Sequence, residues 1–316
     1  RVLFRSHIMS YIKYTLVVLF CCSFISVSAQ MNSKNLKIID TKKNVFKNLQ
    51  LIPIKANNAY KKAYQNIGKY HNLKKAIESG KIEINDSGNV DTLIAINNSN
   101  VNVYIIAGEI VKGGKQDRLV AEDVIIAPGE KKNIPAFCVE QNRWQQKESG
   151  NNFNGYYNVS SKEVRKAALV DKDQQKVWAN VAETTGKNQA SSSTGTYAEL
   201  AKSKTYTKDL NSYLNFFKNR LINKSSVVGV IAVSGDKIIG CDIFATHDLF
   251  KNAYQGLLHS YITEAITNGA KPTLNNAQIS EYYEEFMKIE AEQEKKLKGK
   301  GTVFKYKNKK LHLTSF

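Results

Sequence analysis

Residues 108–144 read GEIVKGGKQDRLVAEDVIIAPGEKKNIPAFCVEQNRW, and the fold turns on how this stretch is paired. Two apolar runs of strand length, 124–127 and 134–139, flank the turn Pro128-Gly129-Glu130. Gly/Pro turns between short apolar runs indicate antiparallel neighbours. Two polar clusters bracket these runs, Lys115-Gln116-Asp117-Arg118 and Glu140-Gln141-Asn142-Arg143-Trp144. Pairing of the runs would bring both clusters onto one part of the surface. Gly113-Gly114 fits a turn between strands. The surrounding residues miss a phosphate-binding P-loop by one position, and Gln116 stands where a magnesium-binding Ser/Thr is needed.

Upstream, residues 45–56 alternate as a first strand, with Pro53 marking an edge or a bulge. Residues 58–79 have helical period, Gly68 can divide them, and Gly80 supplies the stop. Short strands follow over 81–84, 90–96 and 101–111, joined by Ser/Gly/Asn turns. Downstream, Ser160-Ser161-Lys162-Glu163 reads as a capping box, and Asp171-Lys172-Asp173-Gln174 repeats the device to open a second helix. Leu210, Tyr213, Leu214, Phe217 and Leu221 lie on one helical face. Residues 227–233 and 237–244 form a hairpin, Thr246 caps a long helix, and a last helix spans 276–297.

These elements predict an α+β protein. A β-rich, sandwich-like part (45–144) packs with a helical and hairpin part (160–292) in one domain, 33–292. Residues 145–159 and 187–205 read as flexible, the latter containing the low-complexity KNQASSSTGT. Residues 293–316 read as a basic tail holding a small hairpin.

From Met9 a basic residue, an apolar run and the exit Ser26-Val27-Ser28-Ala29 have the form of a signal peptide. The expectation is an exported chain, periplasmic or secreted, cut near Ala29, with residues 1–8 upstream of the start and no transmembrane segment after cleavage. The run is shorter than the ~20 residues a span needs. Cleavage would lower the formal charge from +18 to +15, and eight of those charges lie in the acid-free stretch 295–310. The remaining body is only mildly basic, which with export argues against nucleic acid as a partner. Cys138 and Cys241 remain after cleavage. They fit either a disulfide, stabilising by roughly 4–5 kcal/mol, or two free cysteines buried in strands.

No metal-ligand spacing and no cofactor motif occurs. Lys115, Gln116, Arg118, Glu140, Arg143 and Trp144 form the candidate ligand site, with cations for a small anion and an indole for stacking. Another protein is the alternative partner. A hydrolase is the second reading, with Glu140 or Asp242 as general base. A third reading makes the clusters purely structural. Asp242 stands in an apolar strand, so it either faces water or is buried against a cation.

The runs GEIVKGGKQDR, DVIIAPGEKKNIPAFCVEQNRW and VVGVIAVSGDKIIGCDIFATHDLF, with the opening NLQLIPIK, resemble the ARG and rhodanese-phosphatase-superfamily-associated protein domain family. The likeness covers 45–290, and Asn142 stands where that family usually has glycine. The resemblance implies a neighbourhood of ADP-ribose or phosphorylated ligands and no particular chemistry.

Overall fold

The computed structural model describes residues 31–39, 44–146 and 150–316. The expected signal peptide, and residues 147–149 of the expected 145–159 loop, lie outside them.

The fold is α+β, built on three sheets. The largest has the order β1 (Leu36–Ile38), β3 (Leu49–Ala56), β13 (Val227–Ser234), β14 (Lys237–Phe244), β16 (Lys309–Ser315) and β15 (Gly301–Tyr306), with β2 (Val45–Phe46) beside β3. The second has the order β12 (Gly155–Val159), β8 (Glu109–Lys112), β9 (Arg118–Val120), β11 (Lys131–Cys138), β6 (Thr92–Asn97) and β5 (Ile82–Asp86). The third joins β10 (Val124–Ile126), β7 (Asn102–Ile105) and β4 (Tyr70–Asn72); β4 runs parallel to β7.

The second and third sheets enclose a core of Ile84, Leu93, Val103, Val111, Val120 and Ile134. Every second residue of these strands points inward, the two-residue period seen in the sequence. The first strand departs from that reading. β3 leaves the sandwich and pairs with β13, so it belongs to the larger sheet. Pro53 sits opposite Val230, and its carbonyl accepts from the Ile39 amide, so the side that lacks an N–H faces the end of the short edge strand β1 and not β13.

The helices are α1 (Asn58–Tyr64), α2 (Leu73–Glu78), α3 (Lys162–Lys166), α4 (Gln174–Lys187), α5 (Lys204–Phe217), α6 (His247–Thr267), α7 (Asn276–Met287) and α8 (Gln293–Leu297). Residues 58–79 divide at Gly68 as expected, with β4 between the two helices. Thr246 caps α6 through the Leu249 amide, and α6 is buried on most of its circumference against the large sheet. The cap expected at Ser160-Ser161 does not form: Ser161 Oγ lies 3.4 Å from Thr184 Oγ1, and Glu163 pairs with Lys162. The second box is displaced by two residues: Asp171 lies in the preceding turn, and Asp173 caps α4, accepting from the Gln175 and Lys176 amides.

Three segments read as peripheral are built into the fold. Within 145–159, β12 pairs antiparallel with β8. Within 187–205, Thr196 bridges Glu140 and a 3₁₀ turn, Tyr197–Lys202, buries Tyr197 and Leu200. Within 293–316, β16 inserts between β14 and β15 and buries Leu311, His312, Leu313 and Thr314. The lysines that make this stretch basic alternate with apolar residues. Charge counting alone misses that alternation. Cys138 and Cys241 are both free and buried. Burial pushes both thiols up, Cys241 well above the ordinary range.

Candidate functional site

The two polar clusters do meet. β8 and β9 pair antiparallel around Gly113-Gly114, and β9 pairs with β11, so Arg118 lies opposite Cys138 and Glu140 follows at the strand end. Gln116 Nε2 donates to the Glu140 carbonyl at 2.7 Å, and the Asp117 amide donates to Glu140 Oε2 at 3.0 Å. Arg143 donates to Glu140 Oε2 at 2.6 Å and to the Gly114 and Gly113 carbonyls at 2.7 and 3.1 Å. Thr196 Oγ1 donates to Asp117 Oδ2 at 2.9 Å.

This is a closed knot. Gln116, Asp117, Arg118 and Glu140 are buried, and Arg118 donates to Gln116 Oε1 at 3.1 Å. Burial pushes the Glu140 carboxyl up, but the Arg143 and Asp117 hydrogen bonds outweigh it and hold it below its ordinary range. Gly113 donates its amide to Asp117 Oδ1 and Gly114 to the Asn152 carbonyl, so the turn's donors are spent internally. Lys115 faces solvent, and Trp144 is 56% exposed on the same segment. The guanidinium of Arg143, expected to meet a ligand, instead neutralises Glu140.

A second polar assembly lies where the large sheet meets the sandwich. Asp242 on β14 accepts two hydrogen bonds from Arg165 of α3, Nη2 to Oδ1 at 2.8 Å and Nη1 to Oδ2 at 3.2 Å. It also accepts from the Tyr261 hydroxyl and lies 3.0 Å from His312 Nε2. The other imidazole nitrogen, Nδ1, meets Asp123 Oδ2 at 2.5 Å. Asp123 follows β9 in the sandwich, where its carboxylate also accepts from the Ala107 amide at 2.7 Å and the Tyr104 hydroxyl at 3.0 Å. The Ala107 carbonyl in turn accepts from Arg165 Nε at 3.1 Å, so the backbone of one residue ties both ends of the row.

The row alternates in charge: Asp123, His312, Asp242, Arg165. Burial pulls the His312 pKa down, but Asp123 and Asp242 outweigh it and raise it to about 9. Burial likewise pushes both aspartates up, and the neighbouring cations hold them below the ordinary carboxylate range. His312 is therefore an imidazolium at neutral pH and serves as a donor, with no lone pair to act as a base. Of the two binding modes weighed for Asp242, burial against a cation is the one observed.

The Asp123 end of the row, its side chain 6% exposed, lines a cleft of about 480 Å³. Thr302, Val303 and Phe304 of β15 form one wall, Pro135, Ala136 and Phe137 of β11 another, and Leu169 and Lys172 a third. Leu169 sits in a π-helical turn, Ala167–Asp171, and Lys172 ends it with a left-handed φ of 52°. Such irregular backbone is held by its surroundings and gathers at functional positions. Thr302 lies directly opposite Thr314, and Thr314 opposite Asp242, so all three side chains share one sheet face. The Thr314 hydroxyl is buried there with no hydrogen-bond partner among the described residues. The described residues contain no group of His, Cys, Asp or Glu placed to hold a metal ion.

Asp123, Arg165, His312 and the cleft-lining Phe304 are absent from the residues singled out in the sequence. The available signal was His312 at an inward position of the alternating Leu-His-Leu-Thr run. A family model described as ARG and Rhodanese-Phosphatase-superfamily-associated Protein domain matches residues 39–315. No curated protein and no solved structure matches the chain.

Proposed function

The chain belongs to that family, and we propose that it is a binding module whose ligand enters the cleft beside Asp123. The observation that carries this reading is an ionised carboxylate at the wall of an apolar-sided cleft, pre-set by the Tyr104, Ala107 and His312 donors behind it. Asp91 and Glu122 add negative charge to the lining, and among the described residues Lys172 is its one cation. The ligand class that fits has an ammonium or other N–H group for Asp123 and a flat apolar body for Phe137 and Phe304. Calorimetric titration with phenethylammonium against uncharged phenylethanol tests it. The ammonium should bind more tightly, and Asp123→Asn or Phe304→Ala should each weaken it about tenfold, near 1.4 kcal/mol. Equal affinity for both probes, or binding indifferent to both substitutions, would sink the reading.

For the Gln116–Arg143 knot we infer a structural role, supported by its buried, mutually bonded groups. The hydrolytic alternative needs Glu140 or Asp242 beside a cleft. Glu140 is spent in a salt bridge with Arg143 and Asp242 in one with Arg165, and neither lines the Asp123 cleft.

Export remains our proposal from residues 9–29. In its support, cleavage after Ala29 would keep Met31, which is fully buried and whose carbonyl accepts from Gln293. No helix among the described residues is long and apolar enough to cross a membrane. N-terminal sequencing of the chain recovered outside the cytoplasm should begin at Gln30; an uncut, cell-retained chain would overturn it.

A further inference from the structure

A second cavity, of about 330 Å³, lies across the molecule between α2, the end of α5 and the first half of α6, and shares no lining residue with the Asp123 cleft. Its floor is apolar, formed by Leu214, Ile222 and Leu258, and Lys75, Lys218 and Lys251 stand at its rim. All three lysines are exposed. No carboxylate lines the cavity, and none of the three ammonium groups has an ion-pair partner among the described residues.

What sets this lysine face apart is the partly apolar cavity that the three side chains surround. Lys218 follows α5 directly, where a cation also offsets the negative end of the helix dipole. The same account covers Lys75 in the last turn of α2, but not Lys251 near the start of α6. Three like charges converging on one opening repel one another, and an anion at their centre would relieve this. The apolar floor beneath selects further, because a bare hydrophilic anion leaves it uncovered.

We propose that this cavity binds a monomeric anionic amphiphile, with a phosphate or carboxylate head among the three lysines and a short hydrocarbon body on Leu214, Ile222 and Leu258. The volume is at the small end of ligand pockets, so it takes a single short chain and no bulky two-chain lipid. The lysines hold the head as point charges, without the bidentate geometry that would select one acid over another.

Calorimetric titration of the full chain with octyl phosphate, inorganic phosphate and octyl glucoside tests the proposal. Octyl phosphate should bind at least tenfold more tightly than either other probe, and less tightly as salt is raised. The Lys218→Gln, Lys251→Gln double variant should lose about tenfold in affinity for octyl phosphate while remaining folded, its unfolding midpoint lowered only slightly by the lost cation at the end of α5. Leu214→Asn, at a half-buried position, should weaken octyl phosphate and leave inorganic phosphate unaffected. Equal affinity for inorganic phosphate, or an unaltered double variant, would overturn the proposal. So would binding to vesicles of anionic phospholipid with none to monomeric octyl phosphate, which would make the lysines a membrane-facing patch.

Discussion

Arg165 and Asp242, 77 residues apart, meet through two hydrogen bonds at the junction of the sandwich and the large sheet, both side chains fully excluded from water. Removing one partner leaves the other as an uncompensated buried charge. Arg165→Leu should therefore cost roughly 3–5 kcal/mol in urea unfolding. A loss below about 1 kcal/mol would mean that His312 and Tyr261 alone satisfy Asp242.

His312 makes stability depend on alkaline pH. Its folded pKa of about 9 lies above the ordinary imidazole value of 6.5, so the folded state retains a proton that the unfolded chain releases. The resulting stabilisation, on the order of 3 kcal/mol, is complete below the unfolded value and is lost as pH rises through 9. Asp123 and Asp242 act oppositely; their contribution is present above the ordinary aspartate range and fades as pH falls. Urea midpoints of the wild type should decline between pH 7 and 10, and His312→Gln should flatten that decline.

Glu109 is buried with its carboxyl pushed up to about 8, although the Ile106 amide and the Tyr156 hydroxyl partly offset the desolvation. The folded state holds this proton where the unfolded chain has lost it. Stability therefore falls as pH rises from the ordinary glutamate value of 4.5 towards 8. Glu109→Gln should gain on the wild type over that window, by an amount on the order of 4 kcal/mol at its upper end. A constant difference between the two proteins from pH 5 to 8 would show that Glu109 ionises normally.

Gly108 has φ +95°, and a methyl group there would stand 2.7 Å from Arg165 Cγ. Gly108→Ala thus combines backbone strain with displacement of the guanidinium that serves Asp242. We expect a loss of about 2–4 kcal/mol by thermal unfolding, more than strain alone would give. In the Arg165→Leu background the same glycine change should cost less, because the two share one contact.

In the Gln116–Arg143 knot, Arg143→Ala strips the cation from Glu140 and leaves the Gly113 and Gly114 carbonyls unbonded. It should destabilise by roughly 3 kcal/mol in urea. Phenethylammonium should still bind the folded fraction with wild-type affinity. Weakened binding at saturating fold would place the knot in the ligand site.

Most strands, their turns and the Thr246 cap were legible because each is written in a local period or a single turn residue. β12, within an expected loop, and the break at Gly108 that divides 101–111 into β7 and β8 were not. The knot was legible for a related reason: β8, β9 and β11 are close in sequence, so pairing neighbours brings Gln116 to Glu140. What it does there was not legible, since whether Arg143 faces a ligand or Glu140 depends on a rotamer that spacing does not encode. The buried row was hidden more deeply. His312 lies 189 residues from Asp123 and 70 from Asp242, and no local pattern links them. Asp123 looks like a loop acid, Arg165 like a surface helix position, and the lysines around His312 hide an inward-facing strand.

The insertion of β16 between β14 and β15 governs how the molecule comes apart under load. The outer strand can peel off one ladder at a time, like the last slat of a blind. Drawing out β16 must shear two ladders at once and expose a salt-bridged row to water in the same motion. Force applied through the C-terminal hairpin should meet its steepest resistance there, and once that strand yields, the two halves of the protein lose the imidazole that couples them.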